Sequence, residues 1–120
     1  MISGKDFDRR LVVEQTASRI EQASDLFARD FSVIPVLFDL RGRAAGMYRV
    51  RNAERVIRYN PFIFERYFED NLAQTVPHEV AHYVADIVYG FRNIRPHGPE
   101  WKQIMQFFGA DTRATSQYNL

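Results

Sequence analysis

The sequence predicts an α+β fold, read as a single domain over residues 1–120, from three observations: a helical stripe near the start, a block of alternating residues in the middle, and two helical patterns towards the end. A chain of 120 residues with 46% hydrophobic and 14% aromatic content suits one hydrophobic core. At this length a domain buries somewhat under about 70% of the surface its unfolded chain exposes, so it can fold without staples. It has to, because it contains no cysteine.

From Phe7 to Phe27, Leu11, Val13, Thr16, Ile20, Ala23 and Phe27 recur at three- and four-residue spacing and share one face of a helix. Ser3 followed by Asp6 marks its N-terminal cap. Val33 to Leu40 is β-branched and aromatic around Pro35, the signature of an edge strand or a strand's beginning. Arg41, Gly42 and Arg43 turn the chain. Gly46 to Arg51 alternates, with Tyr48 and Val50 on one face and Met47, Arg49 and Arg51 on the other, and Arg55 to Tyr59 follows in the same style. Together these segments read as a small, mostly antiparallel, three-stranded meander.

Asn60 and Pro61 break the alternation, and Phe62, Phe64, Tyr67 and Phe68 mark a short helix or aromatic-rich loop, expected to pack beneath the helix that follows. Two helical patterns remain, Asn71 to Tyr89 and Pro99 to Phe108. Pro77 lacks a backbone donor and crowds the preceding turn, which sets the start of the regular helix near Val76. Gly90 to Gly98 holds two glycines and Pro96, an irregular loop. Trp101, Phe107 and Phe108 read as core of the last helix.

The missing cysteines exclude a disulfide framework, a thiolate metal knuckle, an iron–sulfur site and a cysteine nucleophile. Any metal must be held by histidine, carboxylate or water. Met1 to Arg10 carries charges where a secretory signal needs an apolar run, and the longest uncharged apolar stretch, Phe31 to Phe38, is too short to span a bilayer. A soluble, intracellular, cytoplasmic protein with no membrane partner is the expectation. Net charge is +1, yet Arg41 to Arg58 holds six arginines against one acid, Glu54. Such a cluster is either a surface that tracks DNA phosphates or, more commonly, the wet face of a sheet.

His78, Glu79, Val80, Ala81 and His82 spell H-E-x-x-H. A helix advances about 100° per residue, so His78 and His82 stand one turn apart on one face and can share a cation. Glu79 is their neighbour around the cylinder, placed to deprotonate a water beside that cation. Val76, Val80, Val84 and Ile87 form the opposite, apolar side. A catalytic zinc site commonly takes three protein ligands. His97 follows a loop long enough to return past the helix, and Gly98 allows close backbone approach. Glu100 is the rival, but its position in the first turn of the next helix suits the macrodipole instead. Asp86, one turn after His82, is either a carboxylate that orients an imidazole or, the favoured reading, a solvated surface acid.

Pro77-His78-Glu79-Val80-Ala81-His82, followed by Pro96-His97-Gly98-Pro99-Glu100-Trp101, resembles the SprT-like metalloprotease family, which includes Spartan, a protease that clears DNA–protein crosslinks. The resemblance runs from about Phe7 to Leu120 and extends to the order of elements. It implies a zincin-like metalloprotease fold, one zinc ion on His78, His82 and His97, and Glu79 as the catalytic carboxylate. Many bacterial-type relatives continue into a cysteine-rich zinc ribbon, and no cysteine is present here.

The expected reaction is peptide hydrolysis on a protein or peptide substrate, without a covalent acyl-enzyme. A sheet edge, either Gly46 to Arg51 or Arg55 to Tyr59, would hold the extended substrate. Tyr59, Tyr83 and Tyr89 are candidate donors to the developing oxyanion, but a buried tyrosine on a helix is more often core, and none is singled out. The alternative is a DNA- or protein-binding module with a metal site and negligible hydrolysis. A purely structural site, however, has no need of Glu79 and closes all four metal positions.

Overall fold

The computed structural model describes residues 3–114 and 118. Residues 1, 2, 115–117, 119 and 120, read from the sequence as part of the domain, lie outside the described residues. The first helix, α1, spans Arg9–Phe27. Its cap is Asp8, whose Oδ1 accepts from the Leu11 N–H at 2.9 Å, rather than Ser3, whose hydroxyl bonds Glu65. The buried stripe is Val12, Thr16, Ile20 and Ala23. Val13, one residue out of phase with that stripe, is 41% exposed.

The strands are β1 (Val36–Leu37), β2 (Gly46–Arg51) and β3 (Glu54–Tyr59), in spatial order β1-β3-β2. The sheet is therefore not the expected meander. β2 and β3 form an antiparallel hairpin in register from Gly46 opposite Tyr59 to Arg51 opposite Glu54, whereas β1 pairs with β3 in parallel. Asn52 and Ala53 turn the hairpin with φ of 51° and 66°, the left-handed pair that matches strand twist. The expected strand over Val33 to Leu40 contracts to two residues, beginning just after Pro35, which has no N–H to give a ladder. Pro35 still accepts from the Ile57 N–H at 3.0 Å.

Asn60 caps the short helix α2 (Pro61–Arg66), its Oδ1 accepting from Phe62 and Ile63, while its Nδ2 donates to the carbonyls of Gly42 and Ala44. One buried side chain thus starts a helix and holds the loop that leads into β2. The aromatic cluster divides: Phe64 is fully buried against Tyr59, with ring centroids 4.8 Å apart, whereas Phe62 lies beneath the Arg41 guanidinium.

A short turn, α3 (Phe68–Asp70), runs into a π-helical turn, Asn71–Thr75, and then into α4 (Val76–Tyr89). The wide turn explains how Pro77 is tolerated: it lies on the N-terminal side of the proline, where an α-turn would press the ring against a carbonyl. Asn71 fills the widened turn, donating to the carbonyls of Ile63 and Tyr67 and accepting from the Thr75 hydroxyl at 2.6 Å. A 3₁₀ turn at Phe91–Asn93 precedes α5 (Pro99–Phe107). α1 and α5 both pack on α4, and the inner face of the hairpin packs on it too. Val76, Val80 and Val84 of α4 join Ile20, Ile57, Phe64, Trp101 and Met105 in one core. No helix among the described residues is long and apolar enough to cross a membrane.

Candidate metal centre

His78 and His82 project from one face of α4, one turn apart, and the loop between α4 and α5 returns His97 to meet them. The three Nε2 atoms form a nearly equilateral triangle with sides of 3.1, 3.2 and 3.2 Å. Ligands about 2.0–2.1 Å from a tetrahedral ion stand about 3.3–3.4 Å apart, so this triangle matches one face of such a site. Among the described residues these three histidines are the cluster positioned to hold a metal ion.

Burial, reinforced by the neighbouring His97, lowers the His78 imidazole to about 4. Burial and the other two rings lower His82 to about 3, and burial lowers His97 as well. All three rings therefore stay neutral near pH 7, with lone pairs available to a cation.

Trp101 supports the triangle from below. Its ring centroid lies 4.8, 5.6 and 4.8 Å from those of His78, His82 and His97, and its Nε1–H donates to the His78 carbonyl at 3.1 Å. The expected core residue is thus also the platform on which the three imidazoles rest. Of its helix companions Phe108 is buried and Phe107 is 45% exposed. Gly98 does approach closely, but to Arg95, whose carbonyl accepts from its N–H at 3.1 Å in the turn that aims His97.

Glu79 points into the same space, its Oε2 3.9 Å from His78 Nε2. It is only 5% exposed, and burial pushes its carboxyl up to about 8, against the opposing pull of a hydrogen bond from the Tyr48 backbone. β2 runs directly over it. A Cβ on Gly46 would lie 2.8 Å from Thr75 Cγ2 and 2.9 Å from both Glu79 Cγ and Oε2, closer than atoms can pack. Gly46→Ala is therefore expected to cost about 1–3 kcal/mol by overpacking. It should also displace the Glu79 carboxylate, lowering any Glu79-dependent turnover while the affinity for metal stays within a few-fold. Thermal melting and chelator competition on the variant check both parts.

Because β3 is central, of the two segments expected only β2 lies at a sheet edge among the described residues, which selects Gly46 to Arg51 and removes Arg55 to Tyr59. The edge and the triad border one cleft of about 780 Å³, lined by Ala45, Gly46, Tyr48, Val50, Gln74 and Phe91 among others. Arg43 stands at it too, whereas Glu100 lines a separate, smaller cavity beside Leu26 and Phe107. Glu100 thus lies outside the histidine cluster.

One further expectation fails. Asp86 is neither solvated nor bonded to an imidazole: it is 5% exposed, and its oxygens accept from the Tyr48 hydroxyl, Arg55 and the Phe91 N–H. The candidate tyrosines do not reach the triad, and Tyr59 and Tyr83 are core, the favoured reading. Tyr59 bonds Thr16, Tyr83 donates to the Ser32 carbonyl, and Tyr89 lies outside the cleft. Tyr48, which sequence reasoning passed over, lines the cleft instead. The alternation in β2 put it on the inward face but carried no sign of a partner 38 residues further on.

Protein SprT of Pseudomonas syringae pv. tomato is 45% identical over 97 residues, which cover 78% of this chain and 57% of that protein. Protein SprT of Vibrio parahaemolyticus is 35% identical over 102 residues, covering 84% and 59%. Protein SprT of Pseudomonas aeruginosa is 42% identical over 97 residues, covering 78% and 57%. The chain thus spans a little over half the length of the curated relatives it matches. No solved structure matches it. Residues 16–118 match the SprT-like family, and with that match over most of its length the chain belongs to the SprT-like family.

Proposed function

We propose that the protein is a zinc-dependent endopeptidase that cleaves extended segments of other proteins, DNA-associated proteins among them. The observation that carries this reading is a buried carboxylate, Glu79, set beside three convergent imidazoles and beneath a free strand edge. A purely structural metal site needs neither the carboxylate nor the edge. Zinc suits three neutral imidazole donors, and when bound it supplies a Lewis acid and a water of lowered pKa.

The chain's own groups do the rest. The outer edge of β2, apart from the Tyr48 N–H that bonds Glu79, holds a peptide as an added strand, so that its scissile carbonyl lies beside the triad. Glu79 accepts the proton of the attacking water and delivers it to the departing amine, acting first as base and then as acid. Incubation of the zinc-loaded protein with an unfolded polypeptide tests the reading. Chelator-sensitive fragments, restored by added zinc, are expected, and an intact substrate in every condition overturns it.

DNA contact is the less direct part of the proposal. Of the six arginines between 41 and 58, Arg55 and Arg58 are committed to Asp86 and Asp39. Arg41, Arg43, Arg49 and Arg51 form no ion pair among the described residues. With four arginines available, the logarithm of DNA affinity should fall against the logarithm of salt with a slope no steeper than about −4. Fluorescence titrations of duplex and single-stranded DNA at several salt concentrations measure it, and a flat response removes DNA from the account.

A further inference from the structure

Asp86 is a buried acid that the proposed chemistry does not use, and its two oxygens divide their partners between different parts of the site. Oδ1 accepts from the Phe91 N–H at 3.0 Å, at the start of the loop that returns His97 to the triad. Oδ2 accepts from the Tyr48 hydroxyl at 2.6 Å, on the edge strand, and from Arg55 Nε at 3.2 Å, on the central strand. Its own backbone carbonyl accepts from the Gly90 N–H at 2.8 Å, closing α4. One carboxylate, one turn beyond His82, thus ties the helix bearing two imidazoles to the loop bearing the third and to the strand flanking the cleft.

We propose that Asp86 is a positioning residue with two separable arms, Oδ1 setting the loop that delivers His97 to the metal and Oδ2 setting the distance between edge strand and metal-bearing helix. Elsewhere in the loop between Gly90 and Gly98, Ile94 packs against the core, Asn93 bonds the Tyr89 and Gly90 carbonyls, and Gly98 bonds back to Arg95, but none of these ties the loop's start to the strands. Phe91 itself is 54% exposed, so at the loop's start it is the backbone N–H, bonded to Asp86, rather than the ring that is held. The charged hydrogen bonds of Tyr48 and Arg55 are of the stronger kind, and burial makes their loss costly. The strand arm matters to peptide binding and so rests on the endopeptidase reading. The loop arm needs only that the triad binds metal.

Zinc affinity by chelator competition, with KM for an extended peptide measured alongside, tests both arms. Asp86→Ala should weaken zinc about 10-fold or more by releasing the start of the loop that carries His97, an effect as large as losing a direct hydrogen-bond partner of a ligand. Phe91→Pro removes the same N–H without uncovering Arg55 or opening a cavity, and should reproduce that loss even where Asp86→Ala folds poorly. Asp86→Asn keeps an oxygen for Phe91 and should recover zinc affinity to within about threefold of the parent. Tyr48→Phe should leave zinc affinity unchanged and raise KM several-fold.

A folded Phe91→Pro protein that binds zinc within about twofold of the parent overturns the loop arm. Equal loss of zinc affinity in Tyr48→Phe overturns the separation, since mere loosening of the fold would move both variants together. A parent chain that binds no zinc overturns the metal reading itself, whereas a parent that binds zinc without cleaving peptide overturns the endopeptidase reading and leaves the loop arm standing.

Discussion

Glu79→Gln is expected to abolish most peptide hydrolysis, by roughly 10²–10⁴-fold, while zinc stays bound. Glutamine keeps the shape that fits beneath Gly46, so the cleft should not collapse. It cannot accept a proton, so the attacking water loses its base. All three imidazoles remain in place, and their affinity for zinc should stay within a few-fold of the parent. Single-turnover cleavage measured beside metal analysis separates the two effects. Cleavage within tenfold of the parent would remove Glu79 from the chemistry.

The same substitution has a pH-dependent signature in protein stripped of metal by a chelator. Burial raises the folded-state Glu79 carboxyl from an ordinary 4.5 to about 8, so the folded chain holds a proton that the unfolded chain has released between those values. Its contribution to stability is fully present below about pH 4.5 and is lost as pH rises through 8. At about 1.4 kcal/mol per unit, the shift corresponds to roughly 3–5 kcal/mol. Glu79→Gln should therefore match the parent near pH 4.5 and exceed it by a few kcal/mol at pH 9, as denaturant titrations would read. A constant difference between the two proteins across that range would contradict the buried, proton-holding carboxyl.

The candidate metal centre was legible in sequence for a local reason. H-E-x-x-H places two imidazoles and the carboxylate through helix periodicity alone, and Pro77 marked where that periodicity begins because a missing N–H has no other reading. His97 lay further along the chain, but a loop of this length can return one residue to its own helix. The hairpin was legible too, since alternation records which residues face inwards. Strand order was not. β1 is two residues long, and its parallel pairing with β3 depends on where the chain travels between Leu40 and Gly46, which carries no periodic signal. Asp86 was misread for a related reason. At helix spacing an acid four residues after a histidine belongs to the polar face, and only the hairpin folded across that face, bringing Tyr48 and Arg55, makes it a buried hub. Trp101 read correctly as core, but that its neighbours would be imidazoles is a tertiary fact.

His97→Ala should weaken zinc by more than the roughly 100-fold that losing an outer partner costs, because it deletes one of three donors rather than the support of one. Glu100→Ala should leave affinity within about twofold, since that side chain borders a different cavity, beside Leu26 and Phe107. Stability gives an independent reading. Zinc supplied at about 100 times the parent's dissociation constant should stabilise the parent by about 2.7 kcal/mol, whereas a variant with 100-fold weaker binding gains only about 0.4 kcal/mol at that concentration. The difference would appear as a zinc-dependent rise in melting temperature that the parent and Glu100→Ala share and His97→Ala lacks. Removing His97 also leaves Trp101 packed against two imidazoles instead of three, so the metal-free variant loses some stability of its own. For that reason the comparison is made between zinc and chelator within each protein, where the packing loss cancels and the ligand's contribution remains. If Glu100→Ala lost the zinc-dependent rise and His97→Ala kept it, the triangle of nitrogens would not be the site that holds the ion.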